Sequence, residues 1–424
     1  MRTRLLIGSL AVIVAACIPS APTATPEGTP PSTTAPTSTA TPASSPPATP
    51  SPTPILTATP IPPTAAPTSS PTDTASCSAS VLASLTETQR IGQLFAVGLA
   101  GDRFTAAERA AIRTYGLGSW WFDTKTSVGT TAIRRIADAV QREATDAATG
   151  GIGFFIAANQ EGGLIQALSG PGFERIPSAV TQGTWSTTKL RDAATRWGRQ
   201  LRKAGVNLDF APVADVVPKQ TAGANAPIGK LQREYGFTPG VAADHVQAFI
   251  EGMTAAGVTT TAKHFPGLGR VVDNTDFSSG VVDTVTTRDD PDLAPFRRAI
   301  DSGVPAVMLS LATYERIDPD HLAAFSWPII GGILEDDLGF RGIVMSDSLS
   351  AEAVSSIPVG TRAVRFLDEG GDMIVVRPVD MAVTMAKAVA AHAKADAWFR
   401  DRIDNAVLHV LRAKEAAGLL PCGS

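Results

Sequence analysis

The chain has 424 residues, 44% of them hydrophobic and 18% charged, with a formal net charge of −4. So mild a charge leaves no electrostatic footprint for nucleic acid, and five scattered histidines do not build a zinc site, so no metal or cofactor is expected. A Gly-x-Ser-x-Gly elbow and a Walker loop are both missing, which argues against serine-hydrolase and P-loop chemistry.

Residues 1–17 read as a lipoprotein signal: Arg2 and Arg4 form a charged start, Leu5 to Val14 an apolar stretch, and Val14-Ala15-Ala16-Cys17 a processing site. The apolar stretch is too short for a comfortable membrane span. An ordinary secretory signal is the alternative, but a Cys directly after two small residues favours lipidation at Cys17. Such an anchor makes the protein extracytoplasmic and membrane-attached. Residues 18–76 are almost wholly Pro, Thr, Ser and Ala. They cannot bury enough apolar surface to offset their ordering entropy, and their prolines keep them extended. This segment reads as a disordered tether. Residues 77–424 then form one large domain. Cys77 precedes it and Cys422 follows it, and outside the cytoplasm that pair predicts a disulfide joining the two ends.

The domain opens on Ser84-Leu85-Thr86-Glu87, a capping-box pattern leading into Ile91-Gly92-Gln93-Leu94-Phe95. A second box, Thr105 to Glu108, starts a helix that ends near Tyr115. Short apolar runs rich in Val, Ile, Leu and Phe follow one another at 93–98, 117–122, 152–158, 206–212, 258–263, 304–310, 342–346 and 372–376. Stretches of helical periodicity lie between them, at 185–204, 240–256, 289–302, 327–338, 360–369 and 380–394. Eight buried-type strands separated by helices predict an α/β fold, a (β/α)8 TIM barrel. A doubly wound open sheet is the alternative, but Gly98-Leu99-Ala100-Gly101 does not match its phosphate loop. The stretch 396–418 reads as a closing helix with Trp398, Ile403, Val407, Val410 and Leu411 on one face.

In a parallel barrel, chemistry is done at the carboxyl ends of the strands. Asp347 stands there after the seventh run; capping a helix that begins near Leu349 is its bland reading, although Ser348 or Ser350 would cap as well. Lys263 and His264 end the fifth run beside a Phe-Pro-Gly turn and suit hydrogen bonding to sugar hydroxyls or an amide carbonyl; a barrel-rim Lys paired with a nearby Asp and a structural buried His are the bland alternative. Asn159-Gln160-Glu161-Gly162-Gly163 follows the third run, with Glu161 either catalytic or orienting. Arg233 offers several donors in a fixed fork. Asp209 and Asp215 flank Phe210-Ala211-Pro212-Val213-Ala214, and Asp215 suits a structural role.

Taken in order, these residues resemble family 3 glycoside hydrolases, and within them the single-domain β-N-acetylglucosaminidases. The motifs are Ile91-Gly92-Gln93-Leu94-Phe95, Gln160-Glu161-Gly162-Gly163, Phe210-Ala211-Pro212-Val213, Arg233 with Tyr235-Gly236, Lys263-His264-Phe265-Pro266-Gly267-Leu268-Gly269, Leu293-Ala294-Pro295-Phe296-Arg297, and Leu338-Gly339-Phe340 running into Ser346-Asp347. The resemblance implies a barrel and a retaining mechanism with a covalent glycosyl-enzyme, the nucleophile falling on Asp347. It places sugar binding on Lys263, His264 and Arg233, and implies a substrate containing N-acetylglucosamine, on this envelope protein a cell-wall glycan fragment.

The departures from the family pattern bear on catalysis. Asn159 stands where the family has an Asp that grips a hydroxyl, and Leu268 where a second His is common. The family's Asp-Ser-His loop, whose His is the general acid/base, reads Asn274-Thr275-Asp276. A carboxylic acid can replace that His if burial or the field of Asp347 raises its pKa, so Asp276 is the candidate, with Asp273 the second choice. Otherwise the barrel binds glycans or serves the envelope structurally. Altered chemistry, with another sugar or transfer to phosphate, is the third possibility.

Overall fold

The computed structural model describes residues 76–99 and 103–422. The signal segment, Cys17 and the tether up to residue 75 lie outside the described residues.

Each expected apolar run forms a strand: β1 (Phe95–Leu99), β2 (Ser119–Phe122), β3 (Phe155–Ala158), β4 (Leu208–Asp209), β5 (Thr259–Phe265), β6 (Ala306–Leu309), β7 (Ile343–Ser346) and β8 (Ile374–Val376). Successive strands pair in parallel around one sheet, and β8 returns to β1. A Met345–Met373 bridge joins β7 to the chain entering β8, with the Ser346 amide donating to the Met373 carbonyl at 2.9 Å. The eight strands thus make a nearly closed (β/α)8 barrel, and the open doubly wound alternative is excluded. The expected helices lie between the strands, for example Thr187–Lys203, Pro239–Ala255 and Val379–Ala395.

Strand side chains alternate between two faces. Ala96, Trp121, Phe155, Ala157, Leu208, Phe210, Ala306, Met308, Ile343, Met345, Met373 and Val375 fill the barrel interior. Their neighbours, such as Val97, Trp120, Ile156, Val307, Val344 and Ile374, pack outward under the helices. Both faces are buried, which is why the strands read as continuous apolar runs rather than as alternating ones.

Two local expectations change. The cap is Thr86, not Ser84: Thr86 Oγ1 accepts from the Gln89 amide at 3.3 Å, and Gln89 Oε1 accepts from the Thr86 amide at 3.0 Å. Ser84 instead ends the helix Cys77–Ser84, its hydroxyl donating to the Val81 carbonyl. In the closing helix Ala397–Ala416, Phe399 takes the buried place and Trp398 is 61% exposed. Trp398 precedes Ile403 by five positions, which turns it about 140° away from the inward stripe at 3.6 residues per turn.

That helix closes the amino-terminal end of the barrel. Val410 enters the interior cluster. The fully buried Lys414 donates to Gln93 Oε1 and to the carbonyls of Gly118 and Gly153, at 2.7–3.0 Å, just before β1, β2 and β3. Cys77 and Cys422 form a disulfide, with Cα atoms 6.0 Å apart, that fastens the two ends of the domain. With one end of the barrel sealed, the carboxyl end is left for chemistry.

Candidate active site

Extending each inward row by one step past its last core residue reaches a polar group. Trp121 leads to Asp123, Ala157 to Asn159, Met345 to Asp347 and Val375 to Arg377. On β5 the inward polar group is Lys263, in register with inward-facing Met308. All five line one cavity of about 260 Å³, together with Arg233, His264, Leu268 and the loop segment Asn274, Thr275, Asp276 and Phe277. The two-residue period of the strands therefore brings distant parts of the sequence to one site.

A buried ion cluster forms one wall. Arg233 donates from Nε and Nη2 to the two Glu161 oxygens, each at 2.8 Å, and from Nη1 to the Pro227 carbonyl at 2.9 Å. Lys263 Nζ lies 2.6 Å from Glu161 Oε1 and donates to Asn159 Oδ1 at 2.7 Å. Burial by itself raises the Glu161 carboxyl, but Arg233 and Lys263 outweigh it and hold it at about 2. Glu161 is therefore an orienting counterion rather than an acid. Its absence from the cavity lining agrees with that role. Asn159, which lines the cavity, accepts from Lys263 through its side-chain oxygen.

Glu161→Gln leaves two buried cations without their shared counterion and is expected to cost about 3–5 kcal/mol in denaturant unfolding at pH 7. The folded state holds this carboxyl at about 2, below its ordinary 4.5. Its stabilisation is thus complete above pH 4.5 and lost as pH falls through 2. The gap between wild type and variant should narrow across that window, and a pH-independent gap would contradict the assignment.

Asp215 orients the other wall. Its Oδ2 lies 2.7 Å from His264 Nδ1, while its Oδ1 accepts from the Leu268 amide at 2.7 Å. His264 Nε2 faces Arg233 Nη2 at 3.3 Å. Both ring nitrogens are engaged, so His264 is held in place between Asp215 and Arg233 rather than poised to deliver a proton. Asp209 does not line the cavity; burial pushes it up to about 7, and it accepts from the Gln160 amide.

Asp347 follows β7, and its Oδ1 accepts from the Ser348 amide at 2.7 Å. No helix begins at Leu349: a 3-10 turn, Glu352–Val354, and then the helix Val359–Asp368 come next, so capping does not account for this carboxylate.

The departing loop is tied down on both sides. Asn225 Nδ2 donates to the Leu268 and Val271 carbonyls at 2.8 and 2.7 Å. The amides of Glu352 and Ala353 donate to the carbonyls of Asp276 and Thr275 at 3.3 and 3.1 Å. Asn274 Oδ1 accepts from the Asp276 amide at 2.9 Å, an Asx turn that presents Asp276 to the cavity. Asn274 thus sets up the backbone at the position where the resemblance places an orienting Asp. Burial, and next the charge of Asp347, raise the Asp276 carboxyl above its ordinary value, against Arg377, Arg233 and His264. Asp273 is exposed and does not line the cavity, which removes it as the alternative acid.

Asp123 and Arg377 did not emerge from motif reading. Their signal is register: each stands two residues past an inward core side chain. Among the described residues no group of three or more His, Cys, Asp or Glu could hold a metal ion.

A family model, "Glycosyl hydrolase family 3 N terminal domain", matches residues 86–413. A beta-hexosaminidase from Xylella fastidiosa (strain M12) is 33% identical over 244 residues, 55% of this chain and 70% of the relative. One from Xanthomonas campestris pv. campestris (strain B100) is 29% identical over 309 residues, 70% of this chain and 88% of the relative. Among solved structures, a beta-N-acetylhexosaminidase from Beutenbergia cavernae DSM 12333 superposes with a TM-score of 0.77 at 42% identity, covering 78% of this chain and 99% of that one.

Proposed function

We propose that this chain, which belongs to glycosyl hydrolase family 3 and is a glycoside hydrolase, is a retaining β-N-acetylhexosaminidase with Asp347 as nucleophile and Asp276 as acid/base. The observation that carries the reading is the placement of Asp276 in the same cavity as Asp347, with burial and then the Asp347 charge raising its carboxyl. The activities named for the relatives support the choice of sugar.

In the first step an ionised Asp347 oxygen attacks the anomeric carbon. The bond to the leaving oxygen breaks, and that oxygen takes the Asp276 proton. The product is a glycosyl ester on Asp347. Esterification removes the Asp347 charge that, after burial, helps to raise the Asp276 carboxyl, so Asp276 stays ionised after this step, ready to take a proton in the second. It then takes a proton from water, the water oxygen attacks the anomeric carbon, and the ester bond to Asp347 breaks. Two inversions return the original anomer. Arg233, Lys263, His264 and Asn159 hold the sugar hydroxyls and the amide.

The enzyme is further proposed to be a lipoprotein anchored through Cys17 that trims N-acetylglucosamine from cell-wall glycan fragments. Support for this comes from the amino-terminal sequence and from the Cys77–Cys422 disulfide, which suits an oxidising compartment. Cys17→Ala is expected to move the protein from the membrane to the soluble fraction with activity kept; continued membrane attachment would refute the anchor.

The direct test of the activity is release of N-acetylglucosamine from a nitrophenyl glycoside and from a cell-wall disaccharide. Turnover of both supports a complete acid/base pair. Turnover of the activated glycoside alone would mean that Asp276 does not act as the acid.

A further inference from the structure

Two charged rim residues take no part in the steps above. Arg377 follows β8, and Asp123 follows β2. Arg377 Nε lies 3.3 Å from Asp123 Oδ1, and its Nη2 lies 3.9 Å from Asp276 Oδ1. The first distance is an ion-pair contact; the second is beyond hydrogen-bond reach. The Arg377 backbone amide is anchored to Ser350 Oγ at 3.2 Å, and Ser350 Oγ meets Ser348 Oγ at 2.7 Å, beside the nucleophile. The base of this side chain is thus fixed to the Asp347 turn, while the side chain as a whole is 47% exposed.

We propose that Asp123 and Arg377 are positioning residues that decide when Asp276 gives up its proton: Asp123 holds the guanidinium off the protonated acid and yields it once Asp276 becomes an anion. The proposal rests on the reading of Asp276 as the acid/base.

The other charges near Asp276 cannot do this. Arg233 is committed to Glu161 by a two-pronged contact, and His264 is held by Asp215. Asp347 loses its charge when it is glycosylated but does not move away. Lys125 lines the cavity but makes no ion pair among the described residues, so nothing there holds it off Asp276 or releases it. Arg377 alone stands between two carboxylates, close to one and just short of the other. When the leaving oxygen takes the Asp276 proton, the new carboxylate attracts the guanidinium. When Asp276 later takes a proton from water, the attraction ends and Arg377 returns to Asp123. No bond to Arg377 or Asp123 is made or broken.

The test is the pH profile of kcat/KM for full-length protein acting on the unactivated disaccharide. The basic limb reports the protonated acid. Arg377→Gln removes a cation facing Asp276 and should move that limb up by about one pH unit. Asp123→Asn frees Arg377 to close on Asp276 and should move it down by about the same amount. Arg377→Lys, which keeps the charge, should return the limb toward its wild-type position. A merely structural role would lower kcat without moving the limb. No shift, or two shifts of the same sign, would overturn the proposal. Asp276→Asn in the same assay separates the two levels. If that variant abolishes the limb while the rim variants leave it in place, the acid/base reading stands and the rim proposal fails. If the limb survives unchanged in Asp276→Asn, both fall.

Discussion

Asp347→Asn is expected to lose on the order of 10⁴-fold or more in kcat/KM toward any glycoside, because the amide cannot form the ester on which both steps depend. The substitution keeps shape: the Ser348 amide that donates to Asp347 Oδ1 at 2.7 Å can donate equally to an Asn oxygen. Unfolding by heat should therefore be nearly unchanged, and N-acetylglucosamine should still bind, since Arg233, Lys263 and His264 are untouched. Asp347→Ala should be measured beside it, because slow deamidation in an Asn-Ser pair would restore a trace of wild-type enzyme. Normal turnover by either variant would remove Asp347 from the role of nucleophile.

Asp276→Ala should show an effect that depends on the leaving group. On the unactivated disaccharide, loss of the general acid is expected to cost roughly 10²–10⁴-fold in kcat/KM. A dinitrophenyl glycoside, whose leaving group needs no proton, should form the glycosyl-enzyme almost as fast as with wild type. Its second step then lacks a base, so the ester on Asp347 should accumulate as a burst. Azide, which attacks without deprotonation, should restore turnover and give the β-glycosyl azide. Equal losses on both substrates with no azide rescue would mean that Asp276 matters only to the shape of the loop.

Much of this architecture was legible in the sequence, because a barrel buries both faces of every strand and Val, Ile, Leu and Phe therefore cluster in eight short runs. Asp347, Lys263 and Asn159 were found because they end such runs. Asp123 and Arg377 end runs as well, but finding them required knowing which face of β2 and β8 points inward. Trp121 and Val375 settle that only once the barrel is closed. The role of Asp276 was the hardest to read. It depends on an Asx turn at Asn274 and on long-range ties to Asn225, Glu352 and Ala353, and those ties have no local sequence signal. Glu161 was ambiguous for a related reason: a buried carboxylate becomes a counterion only when both of its cations arrive, Arg233 and Lys263 from separate parts of the chain. Trp398 shows the limit of composition, since a large apolar residue next to an inward stripe was counted as part of it.

The central claim is a covalent intermediate on Asp347 within this cavity, and its most direct test is mass analysis of the protein after reaction with a 5-fluoro N-acetylglucosaminyl fluoride, a slow substrate that traps the glycosyl-enzyme. The account predicts one added sugar per chain, mapped by peptide sequencing to Asp347 and absent from Asp347→Asn. Turnover of the reagent with no adduct, or an adduct on any other residue, would contradict it.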